Sequence, residues 1–150
     1  MKMLIISVSL LFIFGCGSLP KVYKVDKART INKTYDDTWA KIVRWFSENN
    51  SPIKNMDKSS GFISSEYNLR VSSGNTYADC GSPAFGIQHG DTKGNFSIIV
   101  EKAGDSVTKV TANIFFKIDR VNINNGAMMT AGDCNSTGAL EKELLDYISH

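Results

Sequence analysis

Two stretches of the chain carry apolar residues at helical spacing. In "TYDDTWAKIVRWFSENN", residues 34–50, Thr34 and Asp37 resemble a capping box that begins the helix. Near the end of the chain, Ser136 or Thr137 can cap a second helix. Both patterns predict an amphipathic helix with a core-facing stripe. The stripes consist of Tyr35, Trp39, Ile42, Val43 and Phe46 in the first helix and of Leu140, Leu144, Leu145 and Ile148 in the second.

Apolar and polar residues alternate between the two predicted helices. The alternation is clearest over residues 106–119, where every second residue is apolar, and it is typical of a sheet with one buried face. Short turns separate the predicted strands, which therefore pair as hairpins. The two hairpins comprise residues 52–57 with 61–69 and residues 94–102 with 106–119.

Residues 71–94 and 120–134 show no such period and are predicted to be long irregular stretches. The predicted order is strand, helix, antiparallel hairpins, helix. This order predicts a single α+β domain over residues 30–150, with an antiparallel sheet of four to five strands and two helices packed on one face.

The N-terminus carries a different pattern, an almost continuous apolar run over residues 3–14. As a helix this run would be about 18 Å long, whereas the hydrocarbon core of a bilayer is about 30 Å thick. Its length and its position after Lys2 are typical of a signal peptide. A buried core helix is the alternative, which the terminal position and the weak amphipathic character of the run disfavour.

The apolar run ends at Ile13-Phe14-Gly15-Cys16, which resembles the lipobox of bacterial lipoproteins, with a bulky Phe14 at the second position. The resemblance implies a signal peptide over residues 1–15, acyl chains on Cys16 and a lipidated tether over residues 16–29. Several acyl chains would anchor the protein stably in a membrane. Gly17 and Ser18 follow without an aspartate, which by the same resemblance implies the outer membrane of a Gram-negative host, and the domain is expected on its periplasmic face. A plain secretory signal with a coincidental cysteine is the alternative.

Two further cysteines, Cys80 and Cys134, follow in the chain. An even number of cysteines in an oxidising compartment favours a disulfide between them. The alternatives are a zinc site, which requires four ligands, and a catalytic thiol, for which His89 would have to be the base. The sequence favours the disulfide.

The composition excludes some classes of function. A hydrophobic content of 42% and a charged content of 21% are typical of a folded globular domain. The formal net charge of +2 is too small to indicate a nucleic-acid-binding surface. Nucleic acid is therefore not expected as a partner, and the lipobox resemblance implies the membrane, through the N-terminal lipid, and another envelope protein.

A family resemblance adds to this interpretation. The unit Asp37-Thr38-Trp39, the helix after it and the stretch Asp57-Lys58-Ser59-Ser60-Gly61-Phe62-Ile63 resemble the repeated domain of the BamC (NlpB) lipoproteins. The resemblance implies a helix-grip fold, in which a long helix lies across an antiparallel sheet. It also implies an accessory role in an envelope assembly complex.

Residue patterns of known enzymes are scarce in the chain. It has no P-loop, dinucleotide-binding glycine pattern, HExxH motif or nucleophile elbow. His89 and Asp91 could form a triad with a serine, but a loop histidine without a catalytic role is the simpler interpretation. Asp36 and Asp37 could form a metal site, yet helix capping explains both. The chain is thus predicted to be no enzyme and to use no metal or cofactor.

The sequence therefore predicts a lipid-anchored binding or scaffold protein. The alternative is a carrier of a small molecule or lipid, with its ligand in a cleft between the helix over residues 35–49 and the sheet. The candidate binding residues are Trp45, which lies off the apolar stripe, and three residues of the 71–94 stretch, namely Tyr77, Phe85 and His89.

Overall fold

The structure, a computed structural model, describes residues 17–69 and 76–150. The predicted signal peptide and Cys16 lie outside the described residues. Within them the chain forms seven strands and two long helices. The strands are β1 (Ala28–Ile31), β2 (Ile53–Asp57), β3 (Phe62–Leu69), β4 (Ala78–Asp79), β5 (Ile87–Gly104), β6 (Val107–Asn122) and β7 (Met128–Ser136), and the helices are α1 (Tyr35–Glu48) and α2 (Ala139–Ser149). Neither helix of this described part is long and apolar enough to cross a lipid bilayer.

The strands form one antiparallel sheet in the order β2-β3-β5-β6-β7-β4. Its centre is the long hairpin of β5 and β6, which have 18 and 16 residues. The outer edge of β6 is shared by two strands. Its first half pairs with β1, from Thr108 to Thr111, and its second half pairs with β7, from Phe116 to Val121.

Both helices pack on one face of this sheet, as the period-2 pattern of β5 and β6 requires. Alternate residues of β6, from Thr108 to Ile118, are buried, and the residues between them face the other side. Thr34 caps α1 by accepting a hydrogen bond from the backbone N–H of Asp37, at 3.2 Å. The fully buried side chains of the core include Ile42, Phe46, Ile63, Ile98, Val110, Leu144, Leu145 and Ile148.

The prediction of a four-to-five-stranded sheet is wrong, because the sheet has seven strands in the described part of the chain. The α+β class and the two helices are as expected. The missed strands, β4 and β7, lie in the stretches predicted to be irregular, and β5 begins at Ile87, well inside the first of them. β7, "MMTAGDCNS", carries no alternating apolar residues because most of it is exposed. Its pairing with β6 therefore left no periodic signal in the sequence.

The predicted pairing of Cys80 and Cys134 is confirmed in the structure, where the two Sγ atoms lie 2.03 Å apart. Cys134 belongs to β7, and Cys80 follows β4 directly. The bond therefore joins the two strands with the weakest sequence signals, and both cysteines pack at the margin of the hydrophobic core.

Candidate functional site

The residues before β1 lie against the domain. We call residues 17–27 the entry segment. At its start the backbone N–H of Ser82 donates to the carbonyl oxygen of Ser18 at 3.1 Å. Further along, the side-chain amide of Asn135 donates to the carbonyl oxygen of Lys21 at 3.0 Å. At its end the backbone N–H of Ala112 donates to the carbonyl oxygen of Lys27 at 2.7 Å. The entry segment is thus bound to the domain at its start, middle and end, over most of the length predicted to be a tether.

The face of the sheet opposite the helices is open over its central strands. We call this surface of β3, β5 and β6 the open face. Cross-strand pairing places its side chains in rows, because residues paired in register point to the same side. The central rows are Phe62, Ile99 and Thr111; Ser64, Ser97 and Asn113; and Glu66, Asn95 and Phe115.

Two of these rows carry no charge and are partly apolar, and the third contains Glu66 beside Asn95 and Phe115. The Phe115 side chain is 60% exposed and Ile99 is 39% exposed, although both belong to strands whose other face forms the core. Around them lie hydroxyl and amide groups, such as those of Ser97 and Asn113. This combination of exposed aromatic and neutral polar groups is typical of the core of a protein–protein interface.

Charged side chains lie around the two uncharged rows as ion pairs, and one of them, Lys117, is the next residue of β6 on the same side as Phe115. Their nitrogen–oxygen distances range from 2.5 to 4.0 Å, and most of the partners are substantially exposed, so each pair contributes little to stability. The pairs are Lys54–Glu66, Lys93–Asp119, Lys109–Glu101 and Lys117–Asp133.

The entry segment borders Phe115. The ammonium group of Lys27 lies 5.9 Å from the centre of the Phe115 ring, within the range of a cation–π contact. Val22 and Tyr23 line a surface groove of about 390 Å³ beside the same ring. The hydroxyl of Tyr23 donates to Asp79 at 2.9 Å, which holds this side of the groove in place.

The four candidate binding residues do not form one site. Trp45 is buried in the core with 2% of its surface exposed. Tyr77 precedes β4 and donates a hydrogen bond to Glu143 of α2 at 2.9 Å. Phe85 is 94% exposed in the loop before β5, and His89 lies just inside β5 in the same region. Phe85 and His89 are therefore the two that the fold brings to the same end of the sheet.

The surroundings of the candidate side chains affect their protonation. Burial and the hydrogen bond to Glu143 raise the pKa of Tyr77 to about 12. Burial lowers the pKa of His89, and the positive charge of Arg120, its cross-strand neighbour, lowers it further. In a catalytic triad, a carboxylate would favour the imidazolium form. The environment of His89 instead disfavours a charged imidazole.

The aspartates considered as a metal site have other roles in the structure. Asp36 forms an ion pair with Lys58 at 2.7 Å, and Asp37 belongs to the cap of α1. Among residues 17–69 and 76–150, no group of three or more His, Cys, Asp or Glu side chains is arranged to hold a metal ion.

The space between α1 and the sheet is filled by aromatic side chains. Trp45 and Phe46 of α1 pack edge to face against Phe96 of β5, with ring centres 5.8 and 5.3 Å apart. All three side chains are almost completely buried. A ligand in this place would therefore have to displace part of the core.

Comparison with known proteins adds no family to this description. Neither the protein-family models nor the curated proteins yield a match to this chain.

Sequence reasoning missed the open face as a candidate site. A signal for it is nevertheless present, because Phe115 is a large aromatic residue in the polar phase of the alternating pattern of β6. Ile99 is likewise an apolar residue at a position of β5 where the alternating pattern predicts a polar one. That these two side chains lie on a shared surface depends on the register of the strands.

Proposed function

We propose that this chain is a non-catalytic, lipid-anchored binding protein on the periplasmic face of a bacterial outer membrane. In this proposal it is accessory to an envelope assembly complex and binds another envelope protein through its open face. The lipobox-like sequence ending at Cys16 supports the anchor. The exposed Phe115 on the open face, beside the uncharged row of Ser64, Ser97 and Asn113, supports the binding function, and it is the observation on which the proposal depends.

The distribution of charge on the open face favours a protein as the partner. Interfaces between proteins are depleted of charge at their centre and have a polar, charged rim. Aromatic side chains near the centre contribute most of the binding energy when they are desolvated. Ile99 lies in one of the uncharged rows, Phe115 lies where these rows meet the charged residues, and the ion pairs occupy the rim.

The alternative of a carrier has weaker support. It requires a ligand between α1 and the sheet, where Phe46 and Phe96 are in contact and almost fully buried. The binding-protein proposal uses a surface that is already accessible.

The test is site-specific photo-cross-linking in intact envelopes. A photo-reactive amino acid in place of Phe115 should give a discrete protein adduct. The same amino acid in place of Arg44, an exposed residue of α1 on the helical side of the sheet, serves as the matched control. Equal adducts at both positions, or none at Phe115, would contradict the proposal.

A second measurement tests the anchor. The mass of the mature protein should include acyl chains on Cys16, and Cys16→Ser should remove the protein from the membrane fraction. Unchanged membrane association of Cys16→Ser would contradict a lipid anchor.

A further inference from the structure

The structure brings three uncharged segments together at one end of the sheet. We call this end the apolar end. Its segments are residues 17–20, 80–90 and 121–132, none of which contains Asp, Glu, Lys or Arg. Charged residues make up 21% of the chain as a whole, so this concentration of uncharged sequence in one region is unusual.

Hydrogen bonds between the segments show that they are neighbours. The backbone N–H of Ile123 donates to the carbonyl oxygen of Gly86 at 3.0 Å, which joins the β6–β7 turn to the loop before β5. The contact of Ser82 with Ser18 joins the same loop to the start of the entry segment. Ile87 pairs with the last residue of β6.

Large apolar side chains are exposed on all three segments. Leu19 is 88% exposed and Phe85 is 94% exposed. Ile123 and Met128, on either side of the β6–β7 turn, are each more than half exposed. Scattered apolar side chains are normal on protein surfaces, whereas several on adjoining segments mark an interaction site. The charged side chain of Arg120 borders them, because it lines the same surface pocket as Leu19 and His89.

The opposite end of the sheet has the reverse character. There the β2–β3 turn includes Asp57 and Lys58, and the β5–β6 hairpin includes Lys102 and Asp105. The two ends of the long hairpin thus differ sharply in charge, and this difference gives the domain a polarity along its strands.

The chain enters the domain at the apolar end. Gly17, the first described residue, lies so close to the loop that an added Cβ would be 2.5 Å from the carbonyl oxygen of Ser82. Two residues of extended chain span at most about 7 Å. Cys16 is two residues before Ser18, so a lipid on Cys16 would have to lie within this distance of the apolar end.

We propose that the apolar end rests on the lipid bilayer, with Leu19, Phe85, Ile123 and Met128 in its interfacial layer. This inference relies on the anchor at Cys16 proposed above. The headgroup layer on each side of a bilayer is about 5–7 Å thick, which matches the reach of the two residues between the anchor and the domain. The entry segment is bound to the sheet, and the domain is therefore held directly on the membrane, with the charged end pointing away.

The uncharged character of the apolar end favours lipid over a charged partner. Aromatic side chains such as Phe85 suit the boundary between headgroups and acyl chains, and charged groups at that depth are costly. A domain held in this way would present the open face sideways, parallel to the membrane normal, where another envelope protein could reach it.

The test measures how close two positions of the full lipidated protein lie to a membrane. Phe85→Trp and Met56→Trp are each purified and inserted into vesicles of phosphatidylethanolamine and phosphatidylglycerol with partly brominated acyl chains. Met56 lies near the charged end and is 55% exposed, so it is the matched control. The two native tryptophans are buried and give a common background. Phe85→Trp should be quenched several-fold more strongly than Met56→Trp.

The outcomes distinguish this inference from the proposed function. A mature protein without acyl chains on Cys16 would contradict both. A lipidated protein in which both tryptophans are quenched equally, or neither is, would overturn the bilayer contact alone. A dimer that dissociates on Ile123→Ser, combined with unquenched Phe85→Trp, would assign the apolar end to a second copy of the chain and would also overturn it.

Discussion

At the scale of single residues, Glu141 is the least expected side chain. The sequence places it in the first turn of a surface helix, where an acidic residue is favourable. The structure buries it completely, with one carboxylate oxygen accepting from the hydroxyl of Ser136 at 2.8 Å. Within the described residues the other oxygen, Oε1, has no hydrogen-bond partner. Burial of this kind penalises the ionised form.

Glu141→Gln should change the pH dependence of stability. Burial raises the pKa of Glu141 above its ordinary value of 4.5. The unfolded chain therefore ionises first as the pH rises, and the native protein loses stability until the pH has passed the folded-state pKa. Glutamine does not titrate, so the variant should gain stability relative to the native protein at neutral pH. Urea unfolding below pH 4.5 and at neutral pH measures this. If the variant and the native protein differed by the same unfolding free energy at both pH values, the result would contradict a buried Glu141 carboxyl.

Asp146 should show the opposite dependence. Hydrogen bonds from Lys142 and Arg29 lower its pKa to about 2, and the contact with Arg29, at 2.6 Å, joins α2 to β1. The ionised Asp146 stabilises the folded protein fully above pH 3.8, the ordinary pKa of an aspartate. This stabilisation is lost as the pH falls through the folded-state pKa of about 2. Asp146→Asn should therefore destabilise the protein at neutral pH and have little effect in strong acid. Thermal unfolding across this range is the measurement, with Asp105→Asn, at an exposed turn, as the control.

At the scale of elements, the helices and the central hairpin follow from their own sequences. The start of α1 is as predicted, with Thr34 as its N-cap. The start of α2 differs, since Gly138 is the N-cap in a left-handed conformation (φ 87°). Ser136 and Thr137 still contribute, because their hydroxyl oxygens accept from the backbone N–H groups of Gly138 and Ala139. The expected side chains are present, but they accept from the N-cap residue and from the first residue of the helix and are not themselves the N-cap.

The contact between the entry segment and residues 81–82, which follow Cys80, can be tested with two glycine substitutions. Gly81 has a left-handed conformation (φ 67°), and an added Cβ would lie 2.0 Å from the carbonyl oxygen of Ser18. Gly126 has the same conformation (φ 68°) with nothing within 4 Å of an added Cβ. Gly126→Ala should therefore cost only the backbone strain, about 1 kcal/mol. Gly81→Ala should cost more, because the entry segment must also move.

The readout is the free energy of unfolding, together with hydrogen exchange of the backbone N–H of Ser82, which donates to the carbonyl oxygen of Ser18. Exchange should accelerate in Gly81→Ala and remain unchanged in Gly126→Ala. Identical behaviour of the two variants would show that the entry segment does not pack on the loop.

At the scale of the whole molecule, the disulfide joins two segments that are far apart in the chain. Cys80 and Cys134 are separated by 54 positions, and the bond ties the short strand β4 and the loop after it to β7. The loop-entropy model gives about 4 kcal/mol of stabilisation for a loop of this length. Reduction should therefore lower the denaturant midpoint markedly.

The double variant Cys80→Ala/Cys134→Ala is the control for this prediction. It should unfold at the midpoint of the reduced native protein and should not respond to reductant. A native protein whose midpoint is unaffected by reduction would contradict a stabilising role of the bond.

The sequence alone determined those features that depend on neighbours along the chain. Period-3.6 and period-2 patterns record which side of an element is buried, and they predicted α1, α2 and the hairpins of β2 with β3 and of β5 with β6. Cysteine arithmetic predicted the pairing of Cys80 and Cys134 because two thiols remained after Cys16 was assigned to lipid.

Only the tertiary structure decided those features that depend on partners far apart in the chain. β7 is a strand because it completes the edge of β6 beyond β1, so backbone pairing defines it and no apolar period marks it. Trp45 and Glu141 are buried because other elements cover them. Phe115 lies in the open face, and Phe85 lies beside Ile123, because strand register brings them there. Local patterns record burial against the core, whereas exposed surfaces are assembled from residues that meet only when the sheet forms.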